Sequence, residues 1–363
     1  MQPIHATQLE IQKDALINVR QVETTIHLDD NPNAVLLEVE QFGFSANNIT
    51  YALLGERFGY WGFFPGSEGY GITPVWGFAT VVASNTPALN VGEKVYGYLP
   101  MATHLLIHAD KITPMGFSDA HPQRRSISPV YDQYLRCSQD PSYSAAMETW
   151  ILTFRPLFTT SYVLAYALAE QSVAQGCKVF MTSASSKTAF GTAQILKALM
   201  PSLTIVGLTS TKQVPFVEQT ACFDEVVEYD QMSDQLIDDQ DWLLDFAGDQ
   251  SRLMQWRKGQ ENADAHTLLI GATDVKAQIS RTKNAVGHVF FAPDEVRRFN
   301  KAWGPEVFQQ RYAKHWSSFV AHFTGILTEQ QHIGSQAMVK QYQQFLGGGI
   351  DPRVMHVMRW KTV

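Results

Sequence analysis

The feature that most restricts the fold is an alternation of helix and strand patterns that begins near Arg155. Residues 162–173 carry Tyr162, Leu164, Ala165, Leu168 and Ala169 on or near one helical face. Residues 178–181 form a short β-prone run. Residues 188–200 repeat the helical pattern, with Ala189, Ala193, Leu196 and Met200 in one stripe, and Pro201 stops it. Runs at 203–208, 225–229, 242–246 and 267–270 predict four more strands, and 287–292 is a candidate for another. Strand–helix units in series demand a parallel sheet with right-handed crossovers. The chain then turns helical over the aromatic stretch 303–323. It ends in Gly347-Gly348-Gly349 and a short strand-like tail.

Before residue 155 the pattern is different. Short apolar runs at 34–39, 78–82, 94–98 and 104–108 are punctuated by Gly77, Gly92, Gly97 and Pro100. This predicts a barrel or sandwich. Residues 110–140, with His121-Pro122-Gln123-Arg124-Arg125 and Ser128-Pro129, read as a long loop or excursion. A chain of 363 residues is expected to form about two domains.

Composition narrows the function classes. Aromatic residues make up 12% and charged residues 17%, which excludes a disordered chain. The net charge of −7 gives no electrostatic reason to expect a nucleic-acid partner. Cys137, Cys177 and Cys222 lie far apart, with neither metal-site spacing nor a disulfide framework, which suits a reducing compartment. Residues 1–20 lack the apolar stretch of about 7–15 residues that a signal peptide needs. No segment reaches the roughly 20 apolar residues of a membrane helix. The expectation is a soluble, cytoplasmic protein without a membrane partner.

The turn after the first parallel strand is the most informative piece. It reads Thr182-Ser183-Ala184-Ser185-Ser186-Lys187-Thr188-Ala189. In a dinucleotide-binding fold this turn is Gly-rich, because backbone approaches the pyrophosphate and a helix N-terminus faces it. Here the small Ser183, Ser185 and Ser186 bring hydroxyls, Lys187 brings a positive charge, and Thr188 follows. The alternative is an ordinary Ser-rich helix cap with an exposed lysine. A phosphate loop of the G-x-x-x-x-G-K-[ST] type fits poorly, since Met181 and Ser186 stand where it needs glycine.

An NAD site places an acid about 20 residues further on, at the end of the second strand. No Asp or Glu occurs from residue 178 to 217, and the strand ends in Thr209-Ser210-Thr211-Lys212. Ser210 and Lys212 suit a 2′-phosphate, so NADP(H) is favoured over NAD(H); the alternative is a plain polar loop.

A wider pattern runs through Gly43-Phe44-Ser45-Ala46-Asn47-Asn48-Ile49-Thr50-Tyr51, Tyr60-Trp61-Gly62-Phe63-Phe64-Pro65 and Pro74-Val75-Trp76-Gly77-Phe78-Ala79. It continues in Val91-Gly92-Glu93-Lys94-Val95-Tyr96-Gly97, Arg155-Pro156-Leu157-Phe158-Thr159-Thr160-Ser161, the Ser-rich turn and Asp245-Phe246-Ala247-Gly248. Over nearly its whole length the sequence resembles a bacterial and fungal group known as the domain of unknown function DUF2855. More widely it resembles the medium-chain dehydrogenase/reductase superfamily, in its zinc-free quinone-oxidoreductase-like branch. The superfamily's Gly-rich fingerprint is here Ser183, Ser186, Lys187 and Ala189.

The resemblance implies an α/β fold, with a GroES-like β-barrel domain and a Rossmann-type doubly wound parallel sheet. The expected division is a barrel domain of residues 1–157, completed by 299–363, and a dinucleotide-binding domain of residues 158–298. It implies NADP(H) held by Thr160, Ser183, Ser185, Ser186, Lys187, Thr188, Ser210, Lys212, Gly271 and Ala272. Zinc-dependent members use a Cys and a later His-Glu pair, but the matching stretch here has Ser45, Ala46 and Asn47, and residues 56–70 contain no His. No metal site is therefore expected.

Without metal, carbonyl reduction needs a nicotinamide and a proton source at the oxygen where charge develops. The resemblance puts Asn48 and Tyr51 in the substrate-lining stretch. Tyr60 and Trp61 follow in an aromatic loop that offers a flat apolar wall, or that packs as ordinary core. Asn48 is alternatively a turn residue. Arg155 suits an anionic group or a domain-junction salt bridge, and Asp245 a structural role or the cofactor ribose. The favoured reading is a zinc-free NADP(H)-dependent oxidoreductase acting on a quinone, enone or similar carbonyl. The alternative is a catalytically weak, reductase-like binding or regulatory protein whose cofactor site has degraded. A homodimer is expected by analogy, with 287–292 as a pairing edge.

Overall fold

The computed structural model describes residues 3–124, 129–171, 176–232, 237–271, 286–348 and 350–362. Among them the strands β1 (Ile4–Gln12), β2 (Val19–Ile26) and β3 (Ala34–Phe44) come first, followed by helix α1 (Ala46–Leu53). Then come β4 (Tyr70–Gly71), β5 (Pro74–Ser84), β6 (Lys94–Pro100), β7 (His104–Asp110), β8 (Gly116–Asp119) and β9 (Gln133–Arg136). The long helix α2 (Glu148–Glu170) leads to β10 (Lys178–Met181), α3 (Lys187–Leu199), β11 (Thr204–Thr209), α4 (Val214–Gln219) and β12 (Glu225–Glu228). After β13 (Trp242–Asp245), α5 (Gln250–Trp256), β14 (Thr267–Leu269) and β15 (His288–Val289), two helices follow, α6 (Ala292–Trp303) and α7 (Pro305–Phe323). The chain closes with β16 (Thr328–Ile333), α8 (Ser335–Leu346) and β17 (Val354–Arg359).

These elements form two compact units. The first is Met1–Thr153 with Glu329–Ile350 and Val354–Val363; the second is Phe154–Thr328 with Asp351–Arg353.

The first unit is built around a closed barrel. Its strand order is β3-β5-β6-β9-β8-β7, and β7 pairs back onto β3. β3 serves three neighbours. One side pairs with β5; on the other, residues 34–38 meet β7 while Gln41 to Phe44 meet β17. The eleven-residue length of β3 suits these three pairings, and the strand is buried along nearly all of it. The pairing tolerates bulges between Leu36 and Leu37 and between Val39 and Gln41, which bend the strand around the barrel. Residues 110–140, expected to be an excursion, supply β8 and β9 and so close the barrel. Each strand has four residues, and Asp119, paired with Arg124, hides the apolar pattern of the first.

Gly97 permits one tight contact inside this wall. A Cβ there would lie 2.4 Å from the ring of Tyr134, which is fully buried and donates its hydroxyl hydrogen to the Tyr98 carbonyl at 2.9 Å.

The second unit carries a parallel six-stranded sheet in the order β12-β11-β10-β13-β14-β15. This is a doubly wound, Rossmann-type arrangement, and the order reverses between β10 and β13. Phe180, Val206, Leu208, Leu243, Leu253 and Trp256 form one core cluster. Phe154, Phe158 and Phe190 pack against Phe319, and Phe190 also against Phe323, with ring centroids 4.7–6.2 Å apart. The helix expected at 162–173 begins earlier, at Glu148, and runs through Pro156. In the stretch 287–292 only His288–Val289 is strand. No described helix is long and apolar enough to cross a membrane.

Candidate cofactor and substrate sites

In the second unit, the sheet order opens a crevice at the carboxyl ends of β10 and β13, where ligands bind in such sheets. Thr182 and Asp245 stitch that point together. Thr182 Oγ1 donates to Asp245 Oδ1 at 2.7 Å and accepts from the Phe246 and Ala247 amides at 2.8 and 3.1 Å. Asp245 also accepts from the Ala247 and Gly248 amides at 3.2 and 3.0 Å. Burial pushes its carboxyl up to about 6 despite these hydrogen bonds.

The loop from Ser183 to Thr188 follows. Ser183 takes a left-handed backbone (φ 48°), the conformation a glycine usually fills. Its amide donates to the hydroxyl of Tyr229, at 2.7 Å. The Ala184 amide donates to Leu208 O and the Ser186 amide to Ser183 O. Ser186 caps α3, its Oγ accepting from the Ala189 amide at 3.3 Å. Ser185 is half-buried. Lys187 opens the helix, with Nζ 5.5 Å from the centre of the Phe154 ring. Burial lowers its ammonium to about 8, against the pull of Asp351. The Thr188 carbonyl accepts from Ser161 Oγ at 2.8 Å, tying the loop's helix to α2, whereas Thr160 turns its hydroxyl back to Pro156 O at 3.4 Å.

Ser210 and Lys212 lie exposed past the end of β11. The sequence alone places no acid near them, yet β12 brings one: Glu228 pairs in register with Thr209 and accepts a hydrogen bond from Thr211. Gly271 follows β14, its amide donating to Asp245 O at 3.1 Å; a Cβ there would come 2.7 Å from Phe246 O. Ala272 lies outside the described residues. Tyr229 was not anticipated. Its ring packs near Trp256 and under the Arg252 guanidinium, 4.4 Å from the ring centre. Only the spacing of a tyrosine just past the third strand signals it.

The first unit gathers a second group of candidates. Ser45 and Asn48 form a capping box at the start of α1: Asn48 Oδ1 accepts from the Ser45 amide at 2.8 Å. Asn48 Nδ2 donates to Pro74 O at 3.2 Å. The Asn48 amide is thus committed to structure at both ends. Its neighbour Asn47 instead reaches Tyr51, one helical turn on, with Nδ2 2.8 Å from the phenol oxygen. The Trp76 indole donates to the same oxygen at 3.3 Å.

Tyr51 sits among aromatic rings. Its centroid is 4.7 Å from Tyr60, 5.6 Å from Tyr98 and 6.5 Å from Tyr131. Phe63 closes against Tyr98 and Tyr131 at 5.2 and 5.6 Å. Tyr51 and Tyr98 are buried, while Tyr60, Trp76 and Tyr131 are half-buried, so the cluster reaches the unit's surface. Burial raises all four tyrosines above the usual phenol range, keeping them protonated. Trp61 is not part of this wall; it is buried between Gly55 and Gly71 as core. Trp76, Tyr98 and Tyr131 come from three separate segments, so no local pattern announces their meeting. Among the described residues, no three His, Cys, Asp or Glu side chains converge as a metal site.

A barrel unit and a doubly wound unit in one chain define the class to which solved structures can be compared. The chain is similar in fold to CurA from Vibrio vulnificus in complex with NADPH (TM-score 0.62, 13% identity, 98% of this chain and 100% of that one). It is likewise similar to TarJ from S. aureus in complex with NADPH (0.57, 11%, 99% and 100%). A third likeness is to the quinone oxidoreductase from Coxiella burnetii (0.54, 12%, 99% and 100%). The sequence pattern of DUF2855, described as a protein of unknown function, matches residues 42–351, and the chain belongs to that family. No curated protein matches it.

Proposed function

We propose that the chain is a zinc-free, NADP(H)-dependent oxidoreductase acting on a quinone, enone or similar carbonyl. The observation that carries the reading is the placing of Lys187. It is a lysine on Phe154, in the first turn of α3, beside the sheet's crevice. A cation in the first turn of a helix opposes the helix dipole, and partial burial adds to the cost. A bound diphosphate reverses both effects, so the residues present fit such a group. Ser183, Ser185, Ser186, Lys187 and Thr188 would hold the diphosphate, Ser210 and Lys212 the 2′-phosphate, and Thr160 and Gly271 the nicotinamide end. The cofactor would supply hydride. Tyr51 and Tyr60, kept protonated by burial, would offer hydrogen bonds or a proton to the carbonyl oxygen. Asn48 would act by positioning α1. The NADPH named for two of the structural neighbours supports the choice of cofactor.

A second reading, of a reductase-like binding or regulatory protein, has one observation in its favour. The Ser183 and Ala184 amides already have acceptors in Tyr229 and Leu208. Titration of the full chain with NADPH, NADP and NADH, followed by Trp fluorescence or heat, separates the two. Micromolar NADPH with much weaker NADH, and at least tenfold weaker NADPH binding in Lys187→Met, supports the enzyme. Absence of dinucleotide binding supports the second reading. We also propose a homodimer through the edge strand β15, where Val289 is 75% exposed. Sedimentation as a monomer at micromolar concentration rejects it.

A further inference from the structure

Strand β12 brings an acid to the segment proposed to hold a 2′-phosphate. Glu228 ends β12, in register with Thr209 at the end of β11, and its carboxylate accepts a hydrogen bond from the Thr211 hydroxyl. Thr211 lies between Ser210 and Lys212, the two residues proposed to take that phosphate. The next residue after Glu228, Tyr229, accepts from the Ser183 amide at 2.7 Å and so touches the proposed diphosphate loop. In a dinucleotide one sugar joins these two groups. The adenosine ribose carries the diphosphate at its 5′ position and the distinguishing phosphate or hydroxyl at its 2′ position. Glu228 is thus tied to both subsites that the ribose must bridge.

A carboxylate accepts hydrogen bonds and donates none. Toward a ribose 2′-hydroxyl it is a partner, which is why NAD sites place an acid near the second strand. Toward a 2′-phosphate it is a like charge, and it disfavours that ligand. Lys212 acts in the opposite sense on the same group. We infer that Glu228 is a specificity-determining residue that narrows the preference for NADPH over NADH set up by Ser210 and Lys212. This rests on the dinucleotide reading above for its ligand, and on the β11–β12 register for its place. The side chain is half-buried and tethered to Thr211, which holds the charge at the strand ends.

The test is titration of the full-length chain with NADPH and with NADH, followed by protein fluorescence or heat, in wild type, Glu228→Gln and Glu228→Ala. The glutamine keeps an acceptor for Thr211 and removes only the charge. It should tighten NADPH about fivefold and weaken NADH about twofold, widening the preference about tenfold. Glu228→Ala should widen it in the same direction. Salt screens repulsion at a half-buried site, so the gain of Glu228→Gln over wild type should shrink at about 0.5 M salt. A capping role alone would leave the preference unchanged in Glu228→Gln. General damage to the fold would weaken both dinucleotides together and leave their ratio alone.

An unchanged or narrowed preference in Glu228→Gln, a gain that salt does not diminish, or no dinucleotide binding at all each overturns the inference. Its failure is distinct from failure of the enzyme reading. A chain whose preference widens as expected but that reduces no carbonyl rejects the enzyme alone. One that reduces a carbonyl with NADPH, while Glu228→Gln leaves the preference unchanged, rejects the inference alone.

Discussion

Asp245 is almost wholly buried, yet it accepts hydrogen bonds from Thr182, Ala247 and Gly248. Its folded value of about 6 exceeds the unfolded 3.8, so the native state holds its proton more tightly. The resulting stability is fully present below about pH 4 and is lost as pH rises through 6. Holding the proton that much more tightly corresponds to about 3 kcal/mol. Urea unfolding of wild type and Asp245→Asn across pH 4 to 7 should show this dependence only in wild type. A parallel pair of curves rejects it. The serine turn, the lysine and the aspartate at a strand end were legible because local spacing carries them. The choice between Asn47 and Asn48 was not. Both fall in one helical turn, and only the cap geometry decides which amide is free to reach Tyr51.

The strands β8 and β9 show what limits reading at the level of elements. Four residues cannot display a period, and the turn-rich segment between them obscures the pairing. The parallel strands were legible because each is followed by a helix or a clear break. Tight packing inside an element yields a sharper test. Adding a methyl at Gly97 puts an atom 2.4 Å from a ring that is fully buried and anchored through its hydroxyl. Gly97→Ala should cost about 1–3 kcal/mol, the range for overpacking. Thermal unfolding measures it, and an unchanged midpoint would mean Tyr134 moves freely. In the second unit, strand β12 makes a related point. Glu228 lies 17 residues from Thr211 but shares a hydrogen bond with it, so an acid missing from one strand is supplied by the next.

Across the whole molecule, the first unit is discontinuous. Strand β17 pairs residues His356 to Arg359 with Phe44 to Gln41, and it buries Met355, Val357 and Met358. Burial of such side chains contributes roughly 1.5–3 kcal/mol each. Removing residues 351–363 should therefore destabilise the first unit by several kcal/mol. Amide exchange in the second half of β3 should accelerate, because that edge loses its partner; unchanged protection there would contradict the pairing. The same strand sets an order of events during synthesis. The second unit lies almost entirely within residues 154–328, so its sheet can assemble while the chain is still emerging from the ribosome. The half of β3 that awaits β17 was made more than three hundred residues earlier. It must stay available, and be kept from pairing with other chains, until β17 has been made.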